Sequence, residues 1–221
     1  MTDLILEKLF GGTATVRVMR VFLFNDDLLL CHDEVAQKVH ENVEWVKNAL
    51  DHLEKVGFLK KKNILREVIE TKNGKSKLKV KKIKKIKKQA WFINPNFPLT
   101  DALRQFFYRA NVISPKTVLS KVSHAGNLKL VATCGVFFED PDARLDLLIV
   151  GDSLKKNYLD KGVGLIEALL GREVRYAAFE TPEFLYRYGM YDKLVRDVFD
   201  FKHEKILNKL AIFGEQEAQQ V

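Results

Sequence analysis

Between Lys60 and Lys88 the chain places fourteen lysines and arginines against two acids, Glu67 and Glu70. That stretch carries +12, while the whole 221-residue chain carries only +8, so the remainder sums to −4. The chemistry available to such a run is phosphate binding, because local positive charge attracts a polyanion and releases its counterions. Lys60, Lys61, Lys62, Lys72, Lys75, Lys77, Lys79, Lys81, Lys82, Lys84 and Lys85 are the expected contacts. Asn73-Gly74 lies inside the run and predicts a hairpin turn, since both residues tolerate positive φ. Leu78, Val80, Ile83 and Ile86 thread apolar positions through it and separate it from a solvated lysine tail.

Other chemistries find less support. The five histidines, His32, His40, His52, His124 and His203, have no ligand spacing, so neither a metal nor another cofactor is expected. Cys31 and Cys134 are far apart and predict reduced thiols. Gly162, Gly164 and Gly171 do not follow a strand as a phosphate loop would; the first two are expected to loosen a helix and the third to cap it. Glu139, Asp140 and Asp142 read as solvated turn carboxylates. No apolar run can span a bilayer and the start "MTDLILEKLF" lacks the charged opening of a signal peptide, so a cytoplasmic protein without membrane contact is expected.

The elements that must position the lysines come before and after them. Residues 1–10 predict a short helix ended by Gly11-Gly12, and Thr13 or Thr15 is placed to cap a second helix through Leu23. "CHDEVAQKV" predicts another helix, His40-Glu41-Asn42 a turn, and Val43, Val46, Leu50 and Leu53 a longer helix ended at Gly57, with Trp45 in the core. That helix sits where a recognition helix belongs, directly before the hairpin. Its Glu41, Glu44, Asp51 and Glu54 repel phosphate, leaving Asn42, Lys47, Asn48 and Lys55 as its candidate DNA contacts. Over Val16–Leu99 the chain resembles winged helix-turn-helix transcriptional regulators of the arsenical-repressor type, chiefly in "ALDHLEKVGFLKKK" and "WFINPNFPL". The resemblance implies a DNA-binding domain.

After Pro98, "LTDALRQFFYRA" predicts a helix bridging two domains, with Leu99, Leu103, Phe106 and Phe107 on one side. Ser114-Pro115 opens a further helix. "NLKLVATCGVFF", "RLDLLIVGD" and "REVRYAAFE" predict strands, with a helix over 153–170 and Asp152 placed to cap it, and a final helical region from Thr181. The order α-β-β-α-β-α makes a small mixed α/β domain. This half resembles minimal nucleotidyltransferase domains of the polymerase-beta superfamily, on the spacing of Gly135 to Asp146 and on "DLLIVGD". The resemblance implies a Gly-Ser pair for the triphosphate and three carboxylates for two magnesium ions. Gly135 takes the glycine place, but Val136 stands for the serine, Arg144 for the first aspartate, and Arg175-Tyr176 occupy the third-strand region. Asp146 alone is too few oxygens for two divalent ions, and is expected instead to serve a hydrogen bond in a buried strand.

The expected fold is therefore α+β: a winged helix-turn-helix over 1–98, a connecting helix over 99–114 and a nucleotidyltransferase-like domain over 115–221. The expected function is that of a prokaryotic DNA-binding regulator whose second domain is not an enzyme but senses a ligand, binds a partner or dimerises. Expected partners are double-stranded DNA, a second copy, through Leu103, Phe106 and Phe107 or the aromatic tail, and a small anionic or nucleotide ligand, with Arg144 a possible anion contact. Two alternatives stand beside it: an active metal-dependent nucleotidyltransferase with a basic substrate-delivery domain, and a non-catalytic adaptor gripping RNA or an acidic protein.

Overall fold

The structure, a computed structural model, describes residues 2–72, 80–110, 113–138, 140 and 142–213. It is a mixed α+β protein of two compact units that divide between Tyr108 and Arg109.

The first unit opens with α1 (Thr2–Phe10) and α2 (Thr13–Leu23). Gly12, at φ 130, occupies the cap position of α2 without a side-chain bond, so neither Thr13 nor Thr15 caps it; both lie inside the helix. Next come α3 (His32–Val39), ended by His40 in a left-handed conformation, and α4 (Val43–Lys55). Phe22, Val35, Val39, Val46 and Leu50 are fully buried between these three helices, each worth about 1.5–3 kcal/mol. The core phase of α4 falls on Val46, Ala49, Leu50 and Leu53. At 3.6 residues per turn that phase turns Trp45 away from the stripe, and it is 62% exposed, contrary to the core position expected of it; Val43 shares the stripe's side but, as the first residue of the helix, is 37% exposed.

Gly57 ends the chain's run from α4 at φ 83, and β1 (Leu59–Lys72) then pairs antiparallel with β2 (Val80–Ile93). The ladder runs from Leu59↔Ile93 to Lys72↔Val80 without a shift. Asn73 and Gly74, expected as the turn of this hairpin, lie outside the described residues. Leu30 bridges to Trp91 by two backbone bonds and ties the ribbon's base to the segment before α3. The expected connecting helix, α5 (Thr100–Ala110), belongs to this unit through most of its length. Phe107 is fully buried against Phe10, and Arg104 donates to the Leu23 carbonyl and pairs with Asp26. These anchors hold most of the helix expected to connect the domains over 99–114 within the first unit.

In the second unit α6 (Pro115–Val122) is capped by Ser114, whose hydroxyl accepts from the Thr117 amide at 3.2 Å. Then follow β3 (Asn127–Thr133), β4 (Leu147–Asp152), α7 (Lys156–Leu170), β5 (Tyr176–Glu180), α8 (Thr181–Gly189), α9 (Lys193–Asp200) and β6 (Glu204–Asn208). The sheet order is β5-β4-β3-β6, with β4 and β5 parallel across α7 and the other pairs antiparallel. Alternation sorts the strands between two cores. Val131, Leu147 and Ile149 pack with α6 and α7, while Leu130, Ala132, Leu148 and Val150 pack with Phe184 of α8 and Val195 and Val198 of α9.

Several boundaries differ from expectation for local reasons. The strand expected through Phe138 stops at Thr133 because Gly135 turns the chain at φ 50. The strand β6 was not expected at all. The helix expected from Ser153 begins at Lys156, since Ser153 itself has φ 56. Lys155 holds the cap position without a side-chain bond, and Asp152 lies by Lys129 at 3.5 Å; before the helix, Glu180 accepts from the Ser153 and Leu154 amides at 3.0 and 2.8 Å. Gly162 does not loosen α7 but lets it approach α6: a Cβ there would meet the Lys121 carbonyl oxygen at 2.5 Å. Gly171 ends the helix in a left-handed conformation, as expected.

Candidate functional site

The basic ribbon is held at its root by acids of α3. The Arg66 guanidinium donates to Glu34 at 3.0 Å and to the Leu29 carbonyl at 2.9 Å, and Lys88 donates to Asp33 at 2.9 Å. Glu34 also accepts from the Cys31 amide at 2.7 Å, so one side chain both starts α3 and grips the ribbon. The Lys88 hydrogen bond holds the Asp33 carboxyl below the usual carboxylate range, and the same contact raises Lys88. Nothing in the residue types of Asp33 and Glu34 announces this role, since their partners are 55 and 32 positions away.

Of the predicted contacts, Lys60 and Lys62 are exposed, and Lys62 lies over the Phe92 ring at 5.4 Å. Lys61 is paired with Glu54 of α4 at 2.9 Å and Lys85 with Glu67 at 3.4 Å. Lys72, Lys81, Lys82 and Lys84 have register positions on β1 and β2; Lys75, Lys77 and Lys79 lie outside the described residues.

The helix α4 presents a different surface from the one its charges suggest. Glu41, in the turn before the helix, is paired with Arg17 at 2.9 Å, Glu44 with Lys47 at 3.1 Å and Glu54 with Lys61, so three of the four acids expected to repel phosphate are paired with neighbours. The same pairs engage two predicted contacts, Lys47 and Lys61. Asn42 is the helix cap and accepts from the Glu44 amide at 2.8 Å. Asn48 remains exposed, on a face that also carries Trp45, Asp51 and His52.

In the second unit Asp146 is buried at 1% exposure, immediately before β4, and both its oxygens are occupied. Oδ1 accepts from the Val136 amide at 2.9 Å and from Arg175 Nη2 at 3.0 Å. Oδ2 accepts from the Arg175 amide at 2.8 Å and from Arg175 Nε at 3.0 Å. A guanidinium fork is a fixed, permanently charged donor pair, and here it covers the carboxylate where a metal-binding site would leave it open. The carboxylate in turn raises Arg175. Gly135 is required by this arrangement: a Cβ would overlap Asp146 Oδ1 and lie 2.7 Å from the Leu145 carbonyl oxygen. Val136 contributes its amide, a role independent of side chain. Arg144, expected as an anion contact, is instead paired with Asp197 of α9 at 2.9 Å. Arg175 is the residue whose function the sequence left unassigned, because its partner lies 29 positions upstream. Among the described residues no group of three histidine, cysteine or acidic side chains can hold a metal ion.

Comparison with protein families, with curated proteins and with solved structures returns no match for this chain. Among the described residues no helix is long and apolar enough to cross a membrane.

Proposed function

We propose that this chain is a DNA-binding transcriptional regulator, with a winged helix-turn-helix first unit and a nucleotidyltransferase-like second unit that does not catalyse transfer. The observation that carries the proposal is the long lysine ribbon latched to α3 by Arg66 and Lys88. An anchored ribbon presents its charge at a fixed place beside α4, as a wing does beside a recognition helix. Affinity in this arrangement comes mainly from phosphate neutralisation and little from α4, whose candidate base contact is Asn48.

For the second unit, the support is the occupancy of Asp146. In-line nucleotidyl transfer needs a two-metal clamp on several anionic oxygens, and the one carboxylate at the matching position is spent on Arg175 and two amides. The unit is then a binding or assembly element. A homodimer reading two half-sites belongs to the same proposal, with Tyr186, Tyr191 and Phe201 of the second unit exposed for it; Phe107, expected at such an interface, is buried in its own unit.

The test is twofold. Fluorescence anisotropy of labelled duplex DNA with the full chain should give an affinity that falls steeply with salt; salt-independent affinity would refute the DNA reading. Incubation with labelled nucleoside triphosphates and Mg²⁺ or Mn²⁺ should leave protein and nucleic acid unlabelled. Label abolished by Asp146→Ala would establish an enzyme instead. Light scattering at tens of micromolar should report a dimer, and a monomer with and without DNA would remove that part.

A further inference from the structure

The lysines of β2 repeat in threes, as Lys-Lys-Ile-Lys-Lys-Ile-Lys-Lys over 81–88, whereas a strand alternates its faces in twos. The mismatch spreads charge over both faces. In the antiparallel register Lys82 and Lys84 share one face with Lys72, and Lys81, Lys85 and Lys87 share the other. A wing lying flat on a duplex needs lysines on the contacting face alone, and a wing packed on protein needs an apolar face; this ribbon offers neither. Past the latch at Arg66 and Lys88, the cross-strand pairs from Glu67↔Lys85 to Lys72↔Val80 extend the ribbon by roughly 20 Å.

We infer that this end of the ribbon enters the major groove of duplex DNA edge-on, with its two faces turned to the two phosphate walls. The inference rests on the DNA-binding proposal and adds to it the groove, the orientation and the lysines that matter. Dimensions select the groove. The major groove of B-DNA is about 12 Å wide and the minor about 6 Å, and the major groove admits a two-stranded ribbon. The major groove of A-form RNA is too narrow for side chains to enter, so duplex RNA does not fit.

The full chain is titrated with a mixed-sequence DNA duplex across a salt series, alongside two double variants. Lys82→Gln with Lys84→Gln removes charge from one face, and Lys81→Gln with Lys87→Gln from the other. Each is expected to reduce the slope of log Kobs against log salt by about 1.8, two contacts at about 0.9 each. Dimethyl sulfate footprinting with the unaltered chain should protect guanine N7, in the major groove, and leave adenine N3 reactive. A slope that changes for one face only, or for neither, overturns the inference while the DNA-binding proposal stands. Protection of adenine N3 in place of guanine N7 does the same, as does equal affinity for duplex RNA. Failure of the unaltered chain to bind duplex DNA at low salt removes both.

Discussion

Asp146 and Arg175 form a pair in which the two members are unequally exposed: the carboxylate is buried and the guanidinium side chain is half in solvent. Removing the carboxylate by Asp146→Ala strands the Val136 and Arg175 amides as well as the fork. The cost of leaving such donors unpaired is about 2–4 kcal/mol, read as a lower urea midpoint with unchanged DNA affinity. Arg175→Lys should recover little, since an ammonium cannot replace a planar fork. Cys134, whose thiol donates to the Leu145 carbonyl at 3.1 Å, lies behind the same site. Burial first, and the Asp146 charge second, push its pKa from 9.0 up to about 12. The folded state therefore keeps a proton that the unfolded chain loses, so this contribution is full below pH 9 and declines as pH rises towards 12. Urea midpoints measured between pH 8 and 10.5 should fall less steeply for Cys134→Ala than for the unaltered chain; parallel curves would show that the thiol is not responsible.

At the scale of elements, the ribbon depends on α3 for its direction. Replacing Asp33 and Glu34 together by Asn and Gln should speed amide exchange in residues 64–67 and 85–88, while α4 keeps its protection. Acid should do the same as pH falls through the depressed Asp33 value, because that pair contributes only while the carboxylate is ionised. The helices of the first unit were legible because apolar spacing and local stops coincide in them, as in Val46-Leu50-Leu53 followed by Gly57. The ribbon's existence was legible from charge and turn residues, but its length was not, since register is decided by fourteen cross-strand pairs and not by one favourable dipeptide. The strand β6 escaped notice because Glu204–Asn208 has only Ile206 and Leu207 to mark it, and its pairing with β3 is set by a partner more than seventy residues away. Trp45 shows the opposite failure: its residue type favours a core, but helical phase assigns the neighbouring Val46 to that place.

At the scale of the whole molecule, charge is divided as sharply as structure. Residues 109–221 hold sixteen cations and sixteen acids, so the entire +8 belongs to the first unit. Long-range attraction to a polyanion is thus a property of one unit, and the second is free to meet ligands without that bias. Replacing the exposed Lys156 and Lys193 by Gln should leave the salt slope of DNA binding unchanged within 0.3, roughly a third of one contact; a drop of a full contact or more would place part of the nucleic-acid surface in the second unit. The ribbon has a further consequence that follows from its having only two strands. A sheet of two has no interior strand, and beyond the Leu30–Trp91 bridge at its base the outer backbone side of each strand is an edge to which another chain can add. The lysines proposed to face phosphate also give both edges like charge, which opposes edge-to-edge pairing of two ribbons. Acetylating them would turn the same ribbon from a dispersing element into an associating one.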